Sequence, residues 1–148
     1  MIPEIREPGR AVTPEDVASL EKRFGFVLPE AYVRFLRETN GGRPKPRAFH
    51  GLRENDEAMV QHFFSVDGDE HTNLVENAAF FREYHDVPNS LLPIGRTTSG
   101  DLVCIGVAPG NCGQVWFWSH DHPVREEATW KLSEDFDAFL STFHEVEL

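Results

Sequence analysis

Four short stretches of this chain hold the residue types that do chemistry. His120-Asp121-His122 offers two imidazoles around a carboxylate, a set suited to a divalent metal, and His62, His71 and His85 stand elsewhere. Ser99-Gly100-Asp101 and nearby Cys104 offer nucleophile types. Asp67, Asp69 and Glu70, within VDGDEH, look like the opening of a calcium loop. Arg43, Lys45, Arg47 and Arg53 form a basic cluster interleaved with Pro44 and Pro46.

Each falls short of the chemistry it suggests. A tetrahedral zinc site needs a second local pair such as C-x-x-C or H-E-x-x-H, and none is present, so the histidine triplet reads as a polar turn. A nucleophile needs a base within hydrogen-bond reach and an oxyanion hole, and the G-x-S-x-G elbow is missing. A calcium loop opening at Asp67 needs Gly in sixth place and Glu in twelfth, where Thr72 and Ala78 stand. What remains there is an acidic turn, suited to a basic partner or simply solvated. The basic cluster is too short, in too acidic a chain, to argue for nucleic acid, and reads as pairing within the same domain. The sequence therefore assigns no catalytic residue, no metal and no cofactor.

The charge points the same way. The 148 residues carry a net charge of −11. Residues 1–74 hold 10 basic and 13 acidic side chains, and residues 75–148 hold 4 and 12. Such a balance opposes phosphate neutralisation and favours a basic protein partner, or serves solubility alone. No stretch approaches the roughly 18 apolar residues of a membrane span. The opening MIPEIREPGR lacks the apolar core of a signal peptide, so a cytoplasmic location is expected. Cys104 in an apolar run and Cys112 in a Gly-rich turn are expected to stay reduced, although a hairpin could bring them close.

These residues need elements to position them. Thr13, Pro14 and Asp16 predict an N-cap, a first helical position and a capping box, and Val17, Leu20 and Phe24 then share one face up to Gly25. A second helix starts near Pro29, buries Tyr32, Phe35 and Leu36, and stops at Asn40-Gly41-Gly42. Residues 43–58 read as a loop from which Phe49 and Leu52 dip toward the core. His62–Val66 reads as a strand. Thr72–Tyr84 reads as a helix with Leu74, Ala78 and Phe81 on one face and Phe80 and Tyr84 beside it. Strands are expected at Leu91–Ile94, Asp101–Val107, Val115–Trp118 and Thr129–Leu132, the middle two joined as a hairpin. Alternation puts Trp116 and Trp118 on one face and Phe117 on the other. The reading is that one side is core, while an exposed Trp would make an interface anchor. Ser133 is expected to cap a last helix carrying Phe136, Phe139, Leu140 and Phe143. The sum is a single α+β domain over 1–148, with 1–12 as an N-terminal arm and a largely antiparallel twisted sheet flanked by helices.

In order along the chain stand Gly25-Phe26-Val27-Leu28-Pro29-Glu30-Ala31-Tyr32 with Phe35-Leu36 and Asn40-Gly41-Gly42, and Leu92-Pro93-Ile94-Gly95 with Gly100-Asp101 leading into Val103-Cys104-Ile105. Gly113-Gln114-Val115 follows with Trp118, His120 and Asp121, then Ser133-Glu134-Asp135-Phe136 with Phe139-Leu140. This ordered set resembles the SUKH superfamily of Smi/Knr cell-wall-assembly regulators and bacterial immunity proteins. It departs from the family pattern at Arg96-Thr97-Thr98-Ser99 and at Gly106, and matches loosely over 43–90.

The resemblance implies a non-enzymatic binding module. In bacteria such a module binds and neutralises a toxin, often a nuclease; in fungi it is an interaction scaffold. With the acidic charge, it leads to an immunity-type protein whose partner surface includes Asp67, Asp69, Glu70, Asp101, Trp118 and Asp121. The competing expectation is a regulatory scaffold for an endogenous partner. A small enzyme is a third reading, for which the residues supply no constellation.

Overall fold

Local signals are obeyed closely at the start of the chain. The computed structural model describes residues 1–51 and 56–146, so Leu52 and Arg53 lie outside the described residues. In chain order the elements are β1 (Glu4–Arg6), α1 (Pro14–Phe24), α2 (Glu30–Thr39), β2 (Arg43–Lys45), β3 (Ala48–His50) and β4 (Glu57–Phe63). Then come α3 (Leu74–Tyr84), β5 (Leu91–Thr97), β6 (Leu102–Gly106), β7 (Val115–Trp118), β8 (Thr129–Ser133) and α4 (Phe136–Ser141). Thr13 Oγ1 accepts from the Asp16 N–H at 3.1 Å and the Asp16 carboxylate accepts from the Thr13 N–H at 2.9 Å, a reciprocal capping box. The Arg10 guanidinium donates to Asp16 at 2.8 Å, and this bond leads the causes that hold that carboxyl below the usual carboxylate range.

The fold is α+β. Strands β3 to β8 form one antiparallel sheet in sequence order, and β1 with β2 forms a separate two-stranded ribbon. The sheet curls. In a flat sheet β3 and β7 would lie about 19 Å apart, four strand spacings. Yet the Phe49 and Phe117 ring centroids are 6.3 Å apart. Register shifts at Val60/His62, Pro93/Gly95 and Val115/Trp116 mark where strands bend. Pro93, barred from an ordinary central-strand position, sits at one of them.

Both faces of the curled sheet are covered. On the concave side, Phe49 and Phe63 meet the α4 region (Phe136, Phe139 and Phe143), Phe117 packs against Phe49, and Tyr32 and Phe35 of α2 close over Phe136. Edge-to-face geometry recurs here, as in the 4.9 Å contact between Phe35 and Phe136. On the other side, Trp118 meets Phe81 of α3 at 5.9 Å. Cross-strand pairing of Leu102 with Trp118 and Val103 with Phe117 assigns alternate residues to opposite faces, and all four are buried.

Asn40 ties these layers together. It is 1 % exposed and takes the left-handed conformation (φ 51°) that ends α2. Its side-chain Nδ2 donates to the Arg10 carbonyl at 3.0 Å and to Asp67 Oδ1 at 2.6 Å, and its Oδ1 accepts from the Val66 N–H at 2.7 Å. A Cβ on Gly41 would strike the Phe63 and Phe64 carbonyls, so the turn needs glycine for space as well as conformation.

Several sequence expectations are corrected. Residues 43–58 are not a plain loop: β2, β3 and the start of β4 lie there, with Pro44 opposite Ile5 in a short ribbon where its missing N–H is tolerated. The expected 62–66 strand begins five residues earlier and ends at Phe63. Ser133 closes β8, and Asp135 caps α4 by accepting from the Ala138 N–H at 2.7 Å. Residues 4–6 of the N-terminal arm form a strand. Phe49 is fully buried, as expected.

Two outcomes follow from this packing. Asn40→Ala leaves the Val66 N–H and the Arg10 carbonyl without their partner and should lower unfolding free energy by about 2–4 kcal/mol in urea titration. A loss under about 0.5 kcal/mol would deny Asn40 this role. His62 is buried, its Nε2 lies 3.1 Å from the His71 carbonyl, and burial lowers its proton affinity, with Arg43 and Arg96 also disfavouring the cation and Asp69 favouring it. The unfolded ring protonates near pH 6.5 and the folded ring only at lower pH, so its contribution is complete above that value and falls as pH drops through the interval below it. His62→Gln should therefore flatten the decline in urea midpoint between about pH 7 and pH 5; an unchanged slope would assign the decline to other groups.

Candidate functional site

The turn after β4 is built by its own acids. Asp69 Oδ1 accepts from the His71 N–H at 2.9 Å and from the Thr72 N–H at 3.2 Å, and these bonds, the one from His71 first, hold its carboxyl below the usual range. Asp67 is engaged by Asn40, and its second oxygen accepts from the Arg10 N–H at 3.2 Å. Glu70 is left outermost, beside His71 at 3.5 Å.

A second acidic turn is built by hairpin register. Gly100, at φ +87°, closes the β5–β6 turn, and Asp101 follows it. Pairing of Leu102 with Trp118 brings Asp101 against the exit of β7, two residues beyond. Asp101 Oδ1 accepts from the His120 N–H at 3.0 Å and lies 2.6 Å from His120 Nδ1. Asp121 Oδ1 accepts from Ser119 Oγ at 2.9 Å. His122 turns back onto its own loop, bonding Val124.

The His120-Asp121-His122 triplet thus does not converge as a unit. Asp101, His120 and Asp121 do, with one ligand atom from each within 4.8 Å of the others. These are the residues that could hold a cation, but the hydrogen bonds to His120 and from Ser119 already account for their arrangement. Ser99 sits in the hairpin turn and makes no hydrogen bond to His120 among the described residues, so the neighbouring Asp101–His120 pair has no nucleophile attached. Cys104 is fully buried, and burial pushes its thiol well above the usual range, which keeps it from acting as a nucleophile.

The two acidic turns meet at an open cleft of about 960 Å³. Glu70 and His71 of the first turn line it, and so do Ser99, Gly100 and His120 of the second. Glu76, Phe80 and Phe81 of α3 contribute a wall, and Arg96, His85 and Trp118 also line it. Trp118 is 2 % exposed, and the Arg125 guanidinium lies 5.3 Å from its ring. It can support the cleft but cannot reach out as an exposed anchor. Trp116 is half-buried.

Of the expected contact residues, Glu70 and Trp118 line this cleft, Asp101 and Asp121 stand behind its lining residue His120, and Asp67 and Asp69 are tied into the turn that presents Glu70. The sequence reading missed α3 as a wall. Its signal was present: the helical period leaves Phe80 and Tyr84 off the buried stripe. The basic cluster gives Arg43 to Glu7 at 2.7 Å, a pair within the chain.

The model of the SMI1 / KNR4 family (SUKH-1) matches residues 11–142. A solved structure, the crystal structure of a protein from Pseudomonas syringae pv. tomato, superposes with a TM-score of 0.55 at 20 % identity, covering 86 % of this chain and 80 % of that one. At that identity the likeness is one of fold. No curated protein sequence matches the chain.

The thiols separate cleanly. In native protein a disulfide reagent should modify Cys112, which is exposed, and leave Cys104 untouched; both should react in urea. Rapid native labelling of Cys104 would show that this side of the sheet opens.

Proposed function

The chain belongs to the SMI1 / KNR4 family (SUKH-1), and from that premise we propose that it is a non-enzymatic, cytoplasmic immunity protein that binds and neutralises a toxin domain. The toxin's nucleic-acid-facing surface, basic because it must hold phosphate, is the surface it covers. Residues 1–148 act as one binding unit, and neither nucleic acid nor membrane is a partner. The net charge of −11 opposes phosphate, and no helix among the described residues is long and apolar enough to cross a membrane.

The observation that carries this reading is the shared cleft. Two acidic turns, distant in sequence, are held by internal hydrogen bonds at its margins. Glu70 and Asp121 are the outward carboxylates. Asp67, Asp69 and Asp101 set the turns, and Trp118 supports the wall between them. Asp121, held by Ser119 at 2.9 Å, loses little freedom on binding, which favours affinity for a basic surface, and Glu70 is carried on a turn that Asp67 and Asp69 hold.

Co-expression with a candidate toxin from a neighbouring coding sequence tests the reading through growth rescue and co-purification. Rescue is expected, with a complex that weakens at least tenfold between roughly 0.05 and 0.5 M salt. Glu70→Lys combined with Asp121→Lys should slow association further. Rescue with a salt-independent complex would refute charge mimicry. Absence of binding to an adjacent toxin, together with capture of an endogenous partner, would favour the scaffold alternative.

A further inference from the structure

Outside the acidic turns, α3 presents an outer face that the core does not explain. Glu76, Phe80 and Tyr84 are spaced i, i+4, i+8, and Glu83 lies beside them on the same turn as Tyr84. Phe80 is 47 % exposed and Tyr84 67 % exposed. Both carboxylates are exposed. The one basic residue of the helix points away: Arg82 donates to the Leu91 carbonyl at 2.7 Å and lies 5.8 Å from the Phe26 ring. The stripe is therefore aromatic and anionic, and Glu76 and Phe80 also line the cleft.

The rings are held in place before any partner arrives. The Phe80 centroid lies 5.2 Å from Phe81, 5.5 Å from Tyr84 and 5.2 Å from His85. An exposed aromatic already fixed by neighbours loses little rotamer freedom on binding and suits a hot spot.

We propose that the Glu76–Phe80–Glu83–Tyr84 face of α3 docks an arginine-bearing segment of a protein partner. A guanidinium can lie flat on an aromatic ring while its N–H fork reaches a carboxylate one helical turn away; an ammonium can do only the second as a point charge. The stripe offers both features at that spacing. A second copy of this chain is a poor occupant, because it brings another net charge of −11 to an anionic face. The assignment rests on the basic-partner reading above and names the surface and the side chain that reading leaves open.

The test titrates the full chain, ¹⁵N-labelled, with a synthetic helical peptide bearing arginines and with the same peptide carrying citrulline in their place. The arginine peptide should shift amide resonances within 74–84, and the citrulline peptide should not. Phe80→Ala with Tyr84→Ala should weaken binding by about tenfold, measured at a temperature at which circular dichroism shows the variant folded. Glu76→Gln with Glu83→Gln should remove most of the salt sensitivity. Shifts centred on the Asp101–Asp121 turns, or unaltered affinity in the aromatic double variant, would overturn this face while leaving the acidic-surface reading intact. Equal binding of the citrulline peptide, or no binding of the arginine peptide, would overturn the guanidinium assignment. Failure of the basic-partner reading shows separately, as a salt-independent toxin complex.

Discussion

A single buried amide governs where the rest of this molecule can go. Asn40 ends α2 in a left-handed conformation, and its side chain then joins the segment before α1, the exit from β4 and the Asp67 turn. No other side chain of that size both donates twice and accepts once from this position. An aspartate could not donate to the Arg10 carbonyl and would face Asp67 with like charge. Gly41 must pass within contact of the Phe63 and Phe64 carbonyls, and Gly42 exchanges backbone hydrogen bonds with Phe63 at 3.1 and 2.8 Å. What the sequence presents as a helix stop is a junction of three segments. Because the Asp67–His71 turn hangs from it, the junction also sets the position of Glu70 at the cleft.

Features written in neighbouring residues were legible in the sequence; features written in register were not. The Thr13 capping box, the two helices before residue 40 and the β6–β7 hairpin each follow from residues a few places apart. β2 and β3 were hidden because Pro44 and Pro46 break the alternation a strand normally shows, and short edge strands tolerate such residues. The start of β4, Glu57-Ala58-Met59, has no strong β-formers and is recruited by pairing with β3. Ser133 and Asp135 are both good caps, and only the length of β8 decides between them.

The same distinction explains the site. That Asp67, Asp69, Glu70, Asp101 and Asp121 occur in turns could be read directly, but which ones are tied down could not. Asp101 reaches His120 only because β6 and β7 pair as they do, a fact of register across 19 positions. Gly106 marks another such dependence. A side chain there would collide with Asn111, whose own amide bonds Ala108 and the Ser90 carbonyl. Gly106 is thus what lets the β6–β7 loop fold back on the strand.

The cleft mixes its charges in a way that bears on how a partner approaches. Arg96, a residue of β5, lines it together with His71, His85 and His120, and so do Glu70 and Glu76, while Glu83 and Tyr84 lie on α3 outside that lining. A uniformly basic partner surface meets Arg96 as well as these carboxylates. A partner that places a carbonyl or carboxylate opposite Arg96 and its basic side chains along α3 satisfies both signs of charge. Total charge governs how fast partners meet, whereas the pattern of charge fixes register and rejects wrong ones. For a partner of the proposed kind, the net charge of −11 bears on how fast it is met, and the placing of Arg96 among carboxylates bears on which register it takes.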